Sequence, residues 1–210
     1  AAHYLGHGLL DRARAAVAKG ASPQWLVHAA AGSGELSRLD LALELGSLAS
    51  AVTKSGWTAA RCAASSGKRE LLDRVVELGS PPDFALHGAV SAEDAELVRY
   101  VLERFKPDLN AKDGWQRTAL QEAMFGEVEI ATLLLDAGAD PNVPDDDGST
   151  AIFFAADYDK AELIRLLLSR GAQIDHKNAL GQTVSERARW GSAELKSALG
   201  IAESTNRWGY

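Results

Sequence analysis

The feature of this sequence that most limits its fold is a residue that recurs at nearly constant spacing, each time after a stretch rich in leucine and valine. It is a glycine in five places and a lysine in one, with spacings of 26, 33, 27, 32 and 33 residues. Such self-similarity is the signature of repeat architectures, in which each repeat buries its apolar face only against its neighbours. The positions are Gly20, Gly46, Gly79, Lys106, Gly138 and Gly171.

Each repeat is predicted to hold two short helices, and the recurring residue closes the second one. A glycine suits a helix C-cap because a positive φ is free of strain only for glycine. A second marker is a threonine that begins the first helix of a repeat. A glycine stands two residues before this threonine in three repeats, and Gln116 takes its place before Thr118. The predicted pairs are 59–65 with 68–78, 119–125 with 127–136, and 151–157 with 160–169, and the threonines are Thr58, Thr118, Thr150 and Thr183.

The links between repeats come in two lengths. From the closing residue to the next threonine is 12 residues in four repeats, whereas the links after Gly20 and Gly79 reach the equivalent aromatic residue in 5. A link of 12 residues can form a hairpin that projects between helix pairs, and one of 5 cannot. We therefore expect projecting fingers at 47–57, 107–117, 139–149 and 172–182, and tight turns at 20–25 and 79–84.

These patterns resemble the ankyrin-repeat family. The resemblance lies in SGWTAARCAASSGKRELLDRVVELGS (55–80), DGWQRTALQEAMFGEVEIATLLLDAGADPN (113–142) and DDDGSTAIFFAADYDKAELIRLLLSRGAQID (145–175), of which GADPN is a specific match. The family's Thr-Pro dipeptide is absent. The resemblance implies an all-α ankyrin-repeat solenoid of stacked helix-turn-helix units with short β-hairpin fingers. It also implies that His28 and His87 hydrogen-bond between adjacent loops.

The predicted domain covers residues 1–199. It begins with an N-terminal half-repeat at 8–18, continues through six repeats, and ends in a weak last helix at 192–199. Residues 200–210 form a C-terminal tail outside the repeats.

The sequence offers little for catalysis. It contains no G-x-S-x-G, G-x-x-x-x-G-K-[ST] or H-E-x-x-H motif. Cys62 lies in an alanine-rich helix, where a small buried thiol is the usual interpretation. His3 and His7 have the i, i+4 spacing of metal ligands, but nothing nearby completes a site. We predict no enzymatic activity and no cofactor.

The run Asp145-Asp146-Asp147-Gly148 invites a calcium interpretation. However, Val143 and Phe154 occupy the first and last ligand places of an EF-hand-like loop. Aspartates in a finger are better explained as turn formers and solvated tips. We therefore predict no metal site.

The net charge of -7 belongs to one part of the chain. Residues 1–106 carry 12 basic and 12 acidic side chains, and residues 107–210 carry the other 10 and 17. Six aspartates and no lysine or arginine fall between Asp140 and Asp159. This balance argues against nucleic-acid binding, which needs clustered basic residues. It favours a partner with a basic patch, although an acidic face kept for solubility explains it almost as well.

The partner surface is predicted from the places that are exposed and variable in ankyrin-like folds, namely the finger tips and the outer ends of the first helices. Large aromatic side chains occupy several of them, and exposed Trp and Tyr are typical of interface hot spots. An alternative is that these rings fold inward over neighbouring repeats, as we expect of Phe153 and Phe154. The predicted residues are Trp57, Trp115, Arg117, Phe125, Asp146, Asp147, Ser149, Asp157, Tyr158, Gln182 and Trp190.

The sequence thus predicts a monomeric, non-catalytic module that binds a partner protein through the concave face of fingers and helices. The partner would present a basic and apolar segment. No membrane span is expected, and one cysteine suits a reducing cytoplasm, although a secreted effector is an alternative. A second alternative is a regulatory region of a larger protein, and the remotest is an enzyme.

Overall fold

The structure of the protein is a computed structural model that describes residue 15 and residues 17–19, 24–53 and 56–201. The predicted half-repeat at 8–18, turn at 20–25 and tail at 200–210 lie largely outside these residues, and His3 and His7 lie wholly outside them. The α-helices of the described part are α1 Gln24–Ser33, α2 Leu36–Glu44, α3 Ala59–Ser65, α4 Arg69–Glu77, α5 Ala85–Ser91, α6 Ala95–Phe105, α7 Ala119–Ala123, α8 Val128–Asp136, α9 Ala151–Asp157, α10 Ala161–Ser169, α11 Val184–Arg187 and α12 Ala193–Ala198. A short 3-10 helix, Ala188–Trp190, follows α11.

The paired-helix prediction is confirmed. Helices α3 and α9 have the predicted bounds, α4 is one residue shorter than predicted at both ends, and the other predicted helices of these pairs differ by one or two residues at one end. Thr58, Thr118 and Thr183 begin their helices by accepting a hydrogen bond from a backbone N–H in the first turn. Thr150 begins α9 without such a bond, and its buried Oγ1 has no hydrogen-bond partner within the described residues.

The closing position requires a left-handed backbone, as predicted. The four described glycines at this position have φ between 87° and 100°, and Lys106 adopts 48°. Gln116, in the glycine place before Thr118, also has a positive φ of 57°. The repeat geometry therefore holds where the glycine is missing. Those glycines are Gly46, Gly79, Gly138 and Gly171.

The described chain falls into two compact units, divided between Trp115 and Gln116. Unit 1 contains α1 to α6. There α3 packs against both α1 and α5, and Gly88 lies so close to the carbonyl of Arg61 that a Cβ would not fit. The single repeat domain over 1–199 stays a prediction.

Unit 2 contains α7 to α12. Helix α9 packs on α10 and α11, and α10 packs on α8 and α12. Phe153 is fully buried, which confirms its predicted core role, whereas Phe154 is half-buried. No helix in the described ranges is long and apolar enough to cross a bilayer.

The fingers differ from the predicted β-hairpins. No sheet forms among the described residues, where the one isolated bridge joins Val52 and Thr58. The backbone N–H of Asp145 donates to the carbonyl of Ser149 at 3.0 Å, and Thr53 and Asn178 make the equivalent bond in their fingers. Because this bond spans only four residues, each of these three fingers is a reverse turn without room for a ladder.

Side chains complete these turns from one recurring position, five residues before the threonine. Asp145 Oδ1 accepts hydrogen bonds from the N–H groups of Asp147 and Ser149 at 2.9 and 2.8 Å. Asn178 does the same in the next finger, at 3.0 Å for both bonds. This confirms that Asp145 is a turn former.

Candidate functional site

The predicted partner surface divides between the two units, and each part is described by itself. In unit 1, Trp57 and Trp115 lie edge to face with ring centroids 6.4 Å apart. The guanidinium of Arg61 lies over both rings, 5.1 Å from the Trp57 centroid and 5.8 Å from that of Trp115. We call Trp57, Arg61, Asp113 and Trp115 the tryptophan cluster.

An ion pair lies beneath these rings. Arg61 Nη1 donates to Asp113 Oδ2 at 3.1 Å, and both side chains are buried, with 3% and 1% of their surface exposed. The other oxygen of Asp113 accepts the backbone N–H of Trp115 at 2.9 Å. Trp115 is nevertheless 53% exposed. In this cluster the exposed indole of Trp115 therefore lies on a buried ion pair.

The short link at 79–84 explains why these residues meet. The repeat between them has no finger, so the finger at 47–57 reaches the one at 107–117. Gly56 is packed against the backbone of Gly114, leaving no space for a side chain. Arg61 thereby contacts Asp113, 52 residues away. This pair was not predicted from the sequence, although Arg61 holds the place of His28 and Asp113 holds the turn-forming position.

The histidine prediction is confirmed at His28. Its Nε2 lies 3.0 Å from the carbonyl of Ala51 and 3.1 Å from that of Trp57, so the ring ties α1 to the next finger. In unit 2, Gln121 holds the same place. Its amide donates to the carbonyls of Val143 and Ser149 at 3.0 and 2.8 Å.

His87 is buried in α5 beside the ring of Phe84, with 5.9 Å between centroids. Its role between loops stays a prediction.

In unit 2, an aromatic cluster lies at the ends of the first helices. The ring of Phe125 contacts that of Tyr158, with centroids 4.8 Å apart, and that of Phe154 at 5.9 Å. The guanidinium of Arg117 lies 5.8 Å from the Phe125 centroid. Tyr158 is 55% exposed and Phe125 sits at 36%. We call Arg117, Phe125, Phe154 and Tyr158 the aromatic cluster, which presents Tyr158 most openly.

Some carboxylates of the acidic run between Asp140 and Asp159 are already bound within the protein, so fewer of them can meet a partner than the composition indicates. Arg187 donates to both oxygens of Asp157, at 2.6 and 2.8 Å. These hydrogen bonds to Asp157 raise the pKa of Arg187, and the charge of Asp147 adds to the effect. Asp145 is held in its turn, whereas Asp146 and Asp147 are exposed at the finger tip. The predicted electrostatic role therefore falls mainly on these two.

The remaining predicted residues lie apart in unit 2. Ser149 is half-buried, and its backbone accepts from Gln121, so it belongs to the finger's framework. Gln182 is exposed at the last finger. Trp190 is 88% exposed, and the guanidinium of Arg189 lies 5.5 Å from its ring centroid.

Cys62 is buried in α3. Burial raises the pKa of its thiol to about 11, and the charge of Arg61 lowers it by less. A thiol with that pKa is protonated at neutral pH, whereas a cysteine nucleophile acts as the thiolate. This supports the expectation that Cys62 is a packing residue.

Parts of this chain are similar in sequence to several known proteins. The E3 ubiquitin-protein ligase KEG of Arabidopsis thaliana is 34% identical over 127 residues, which cover 55% of this chain and 8% of that protein. The human Ankyrin repeat and KH domain-containing protein 1 is 39% identical over 92 residues, 42% of this chain and 4% of its own length. This chain thus spans a small share of these curated relatives.

The crystal structure of the ankyrin repeat domain of Bcl-3, a member of the IkappaB protein family, matches with a TM-score of 0.63 and 25% sequence identity. The match covers 91% of this chain and 92% of that one. A profile of ankyrin repeats, in three copies, matches residues 86–178 and 128–195. These matches span more than half of the sequence, and the chain therefore belongs to the ankyrin-repeat family.

Proposed function

We propose that this chain is a non-catalytic module that binds a partner protein through exposed aromatic side chains on its fingers and helix ends. Ankyrin repeats are generally protein–protein interaction modules, and the fold is typically non-enzymatic. The single observation that carries the proposal is Trp115, which is more than half exposed yet held in place from below.

Rigidity is what makes Trp115 a good anchor. A flexible surface side chain loses conformational entropy when it binds, and that loss subtracts from affinity. In Trp115, the backbone bond to Asp113 and the contacts with Trp57 and Arg61 have already restricted the ring. Aromatic residues that bury a large area at small entropic cost are the usual hot spots of interfaces.

Tyr158 is the corresponding anchor of unit 2, since it packs on Phe125 and keeps its outer face in solvent. Asp146 and Asp147 are exposed at the finger of the same unit. We propose that an apolar segment of the partner covers the ring, and that basic residues flanking this segment face the aspartates. Opposite charges of this kind raise the rate of encounter more than the affinity.

The test is affinity capture from an extract of the source organism, followed by titration of the recovered protein. Trp115→Ala and Tyr158→Ala are compared singly and together with the parent chain. We expect the double variant to weaken binding by about 2 kcal/mol or more, the loss typical of a hot spot. Circular dichroism checks that all three variants keep their helix content.

Leu180→Ala is the matched control, because Leu180 is 77% exposed at the last finger and is not a predicted contact. We expect it to bind like the parent chain. Recovery of the same partner, with unchanged affinity and salt dependence, by the double variant would contradict the proposal.

A second possibility is that the repeats are the recognition region of a larger protein, which the small shares covered in the relatives favour. An antibody against the repeats, used on an extract of the source organism, would decide this from the mass of the band. The monomeric state and the cytoplasmic location stay predictions.

A further inference from the structure

Unit 2 contains a cleft at the ends of its helices. It lies between the end of α9 and the 3-10 helix that follows α11, with a volume of about 340 Å³. Its walls include two carboxylates, one guanidinium and one indole. These belong to Asp157, Asp159, Arg187 and Trp190.

The chain itself shows which groups this chemistry holds. The guanidinium of Arg187 is bound by both oxygens of Asp157, and that of Arg189 lies over the ring of Trp190. A carboxylate that takes a guanidinium edge and a ring that takes its face are the two recognised partners of arginine in proteins. The cleft is therefore lined by the groups that bind arginine.

One carboxylate of the cleft retains free capacity. Asp159 Oδ1 accepts the backbone N–H of Ser192 at 3.0 Å, which fixes the side chain, while Oδ2 makes no hydrogen bond within the described residues. Trp190 is 88% exposed, so most of its ring is open to a ligand. Asp159 and Trp190 thus line one cleft, and both have binding capacity left.

We propose that this cleft binds the guanidinium group of an arginine side chain of the partner protein, with Asp159 as the anionic acceptor and Trp190 as the aromatic wall. The proposal rests on the proposed function, because the arginine belongs to the protein partner. Charge supports this occupant. Residues 116–210 carry 15 acidic and 9 basic side chains, so unit 2 attracts cations over a longer range.

Arginine suits the cleft better than lysine. A planar guanidinium can donate to a carboxylate with its edge while its face lies on an indole, whereas an ammonium acts as a strongly hydrated point charge. Asp157 is already occupied by Arg187, so the ligand must be recognised by a single free oxygen and a ring face. Recognition therefore depends on shape as well as charge.

The experiment is a titration of the ¹⁵N-labelled full chain with N-acetyl-arginine-methylamide, followed by NMR. It is run in about 150 mM NaCl, where attraction beyond about 8 Å is screened. We expect saturable shifts of the Trp190 indole N–H and of the Gly191 and Ser192 amides. The indole signal is assigned by its loss in Trp190→Phe. The citrulline analogue, which has nearly the same shape without the charge, is expected to cause much smaller shifts.

Two substitutions that each remove one negative charge distinguish binding in the cleft from general attraction to an acidic surface. Asp159→Asn should weaken the arginine compound about fivefold or more, because a charge-assisted bond is roughly twice as strong as a neutral one. Asp175→Asn removes the same charge from an exposed position of the last finger in the same unit and should change binding by less than about twofold. Trp190→Leu should weaken binding while the helix content is retained.

Equal shifts with arginine and citrulline, equal effects of the two asparagine substitutions, or shifts located elsewhere would each overturn the proposal. Its failure is distinct from failure of the proposed function. If the cleft ignores arginine while Trp115→Ala still weakens partner capture, only the cleft assignment falls. If arginine binds while the aromatic substitutions leave capture unchanged, the aromatic surface is wrong and the cleft stands.

Discussion

The two units secure their fingers from the same position in the repeat but with different chemistry. In the repeat of unit 1 that follows Thr58, the position holds Arg61, which forms a buried ion pair with Asp113. In unit 2 it holds Gln121, whose neutral amide donates to two carbonyls of the finger at 139–149. The position contacts a finger in both units, and the side chain there determines how much free energy of unfolding is lost when the contact is broken. A buried charge left without its counter-charge is far more costly than an unmade neutral bond.

The largest effect is expected from Asp113→Asn. The amide keeps an oxygen for the Trp115 N–H but removes the charge that faces Arg61, so unit 1 should lose about 3–5 kcal/mol of unfolding free energy. Urea unfolding followed by tryptophan fluorescence measures the loss. Cys62, the single cysteine of the chain, is buried in the same unit, and its thiol labelling should accelerate in parallel.

The control for that substitution is Asp136→Asn, which breaks the partly exposed pair of Asp136 with Arg170. A surface pair contributes about 0–1 kcal/mol. Equal losses in the two variants would show that the Arg61–Asp113 pair has no special cost.

An intermediate effect is expected from Gln121→Ala. It removes both bonds to the finger carbonyls and the Oε1 acceptor of the Thr118 N–H, so unit 2 should lose about 2 kcal/mol. Faster hydrogen exchange of the amides of residues 145–149 would locate the loss in the finger. Gln182→Ala, at an exposed glutamine of the same unit, should stay within about 0.5 kcal/mol. A loss from Gln121→Ala as large as that from Asp113→Asn would remove the difference between the two chemistries.

The smallest effect concerns two threonines of unit 2 at the same place in the repeat. Thr118 caps α7 with its side chain, so Thr118→Val should cost about 1 kcal/mol. Thr150 Oγ1 is buried and has no hydrogen-bond partner in the part of the chain that the structure describes, so Thr150→Val should be neutral or slightly stabilising. The difference in urea midpoint between the two variants tests this, and the reverse order would contradict our description of the caps.

Much of the fold could be predicted from the sequence because its signals are local. The period of the leucine-rich stretches gave the helix pairs, and the bounds of α3 and α9 follow from the threonine that precedes each. The left-handed backbone at Lys106 and Gln116 could be inferred because both occupy glycine places in the repeat. Such features depend on a residue and its near neighbours in the chain.

The candidate site was predicted less completely because its signals are long-range. Trp57 and Trp115 were expected to be exposed, but their contact depends on a neighbouring repeat that lacks a finger. Asp157 was expected to face a partner, yet Arg187, 30 residues later, already occupies its carboxylate. Composition counts charges without showing which of them are already paired.

The missing finger at 79–84 has a consequence for how such a surface can evolve. The backbone contact between Gly56 and Gly114 exists because one link is short. Inserting a full-length finger there is expected to push the two glycines apart and to separate Arg61 from Asp113, without altering any of the four residues of the tryptophan cluster. A change in the length of one loop can therefore bring distant residues together, or separate them, without any substitution among them. In this fold, the length of a loop determines which residues, distant in the sequence, become neighbours.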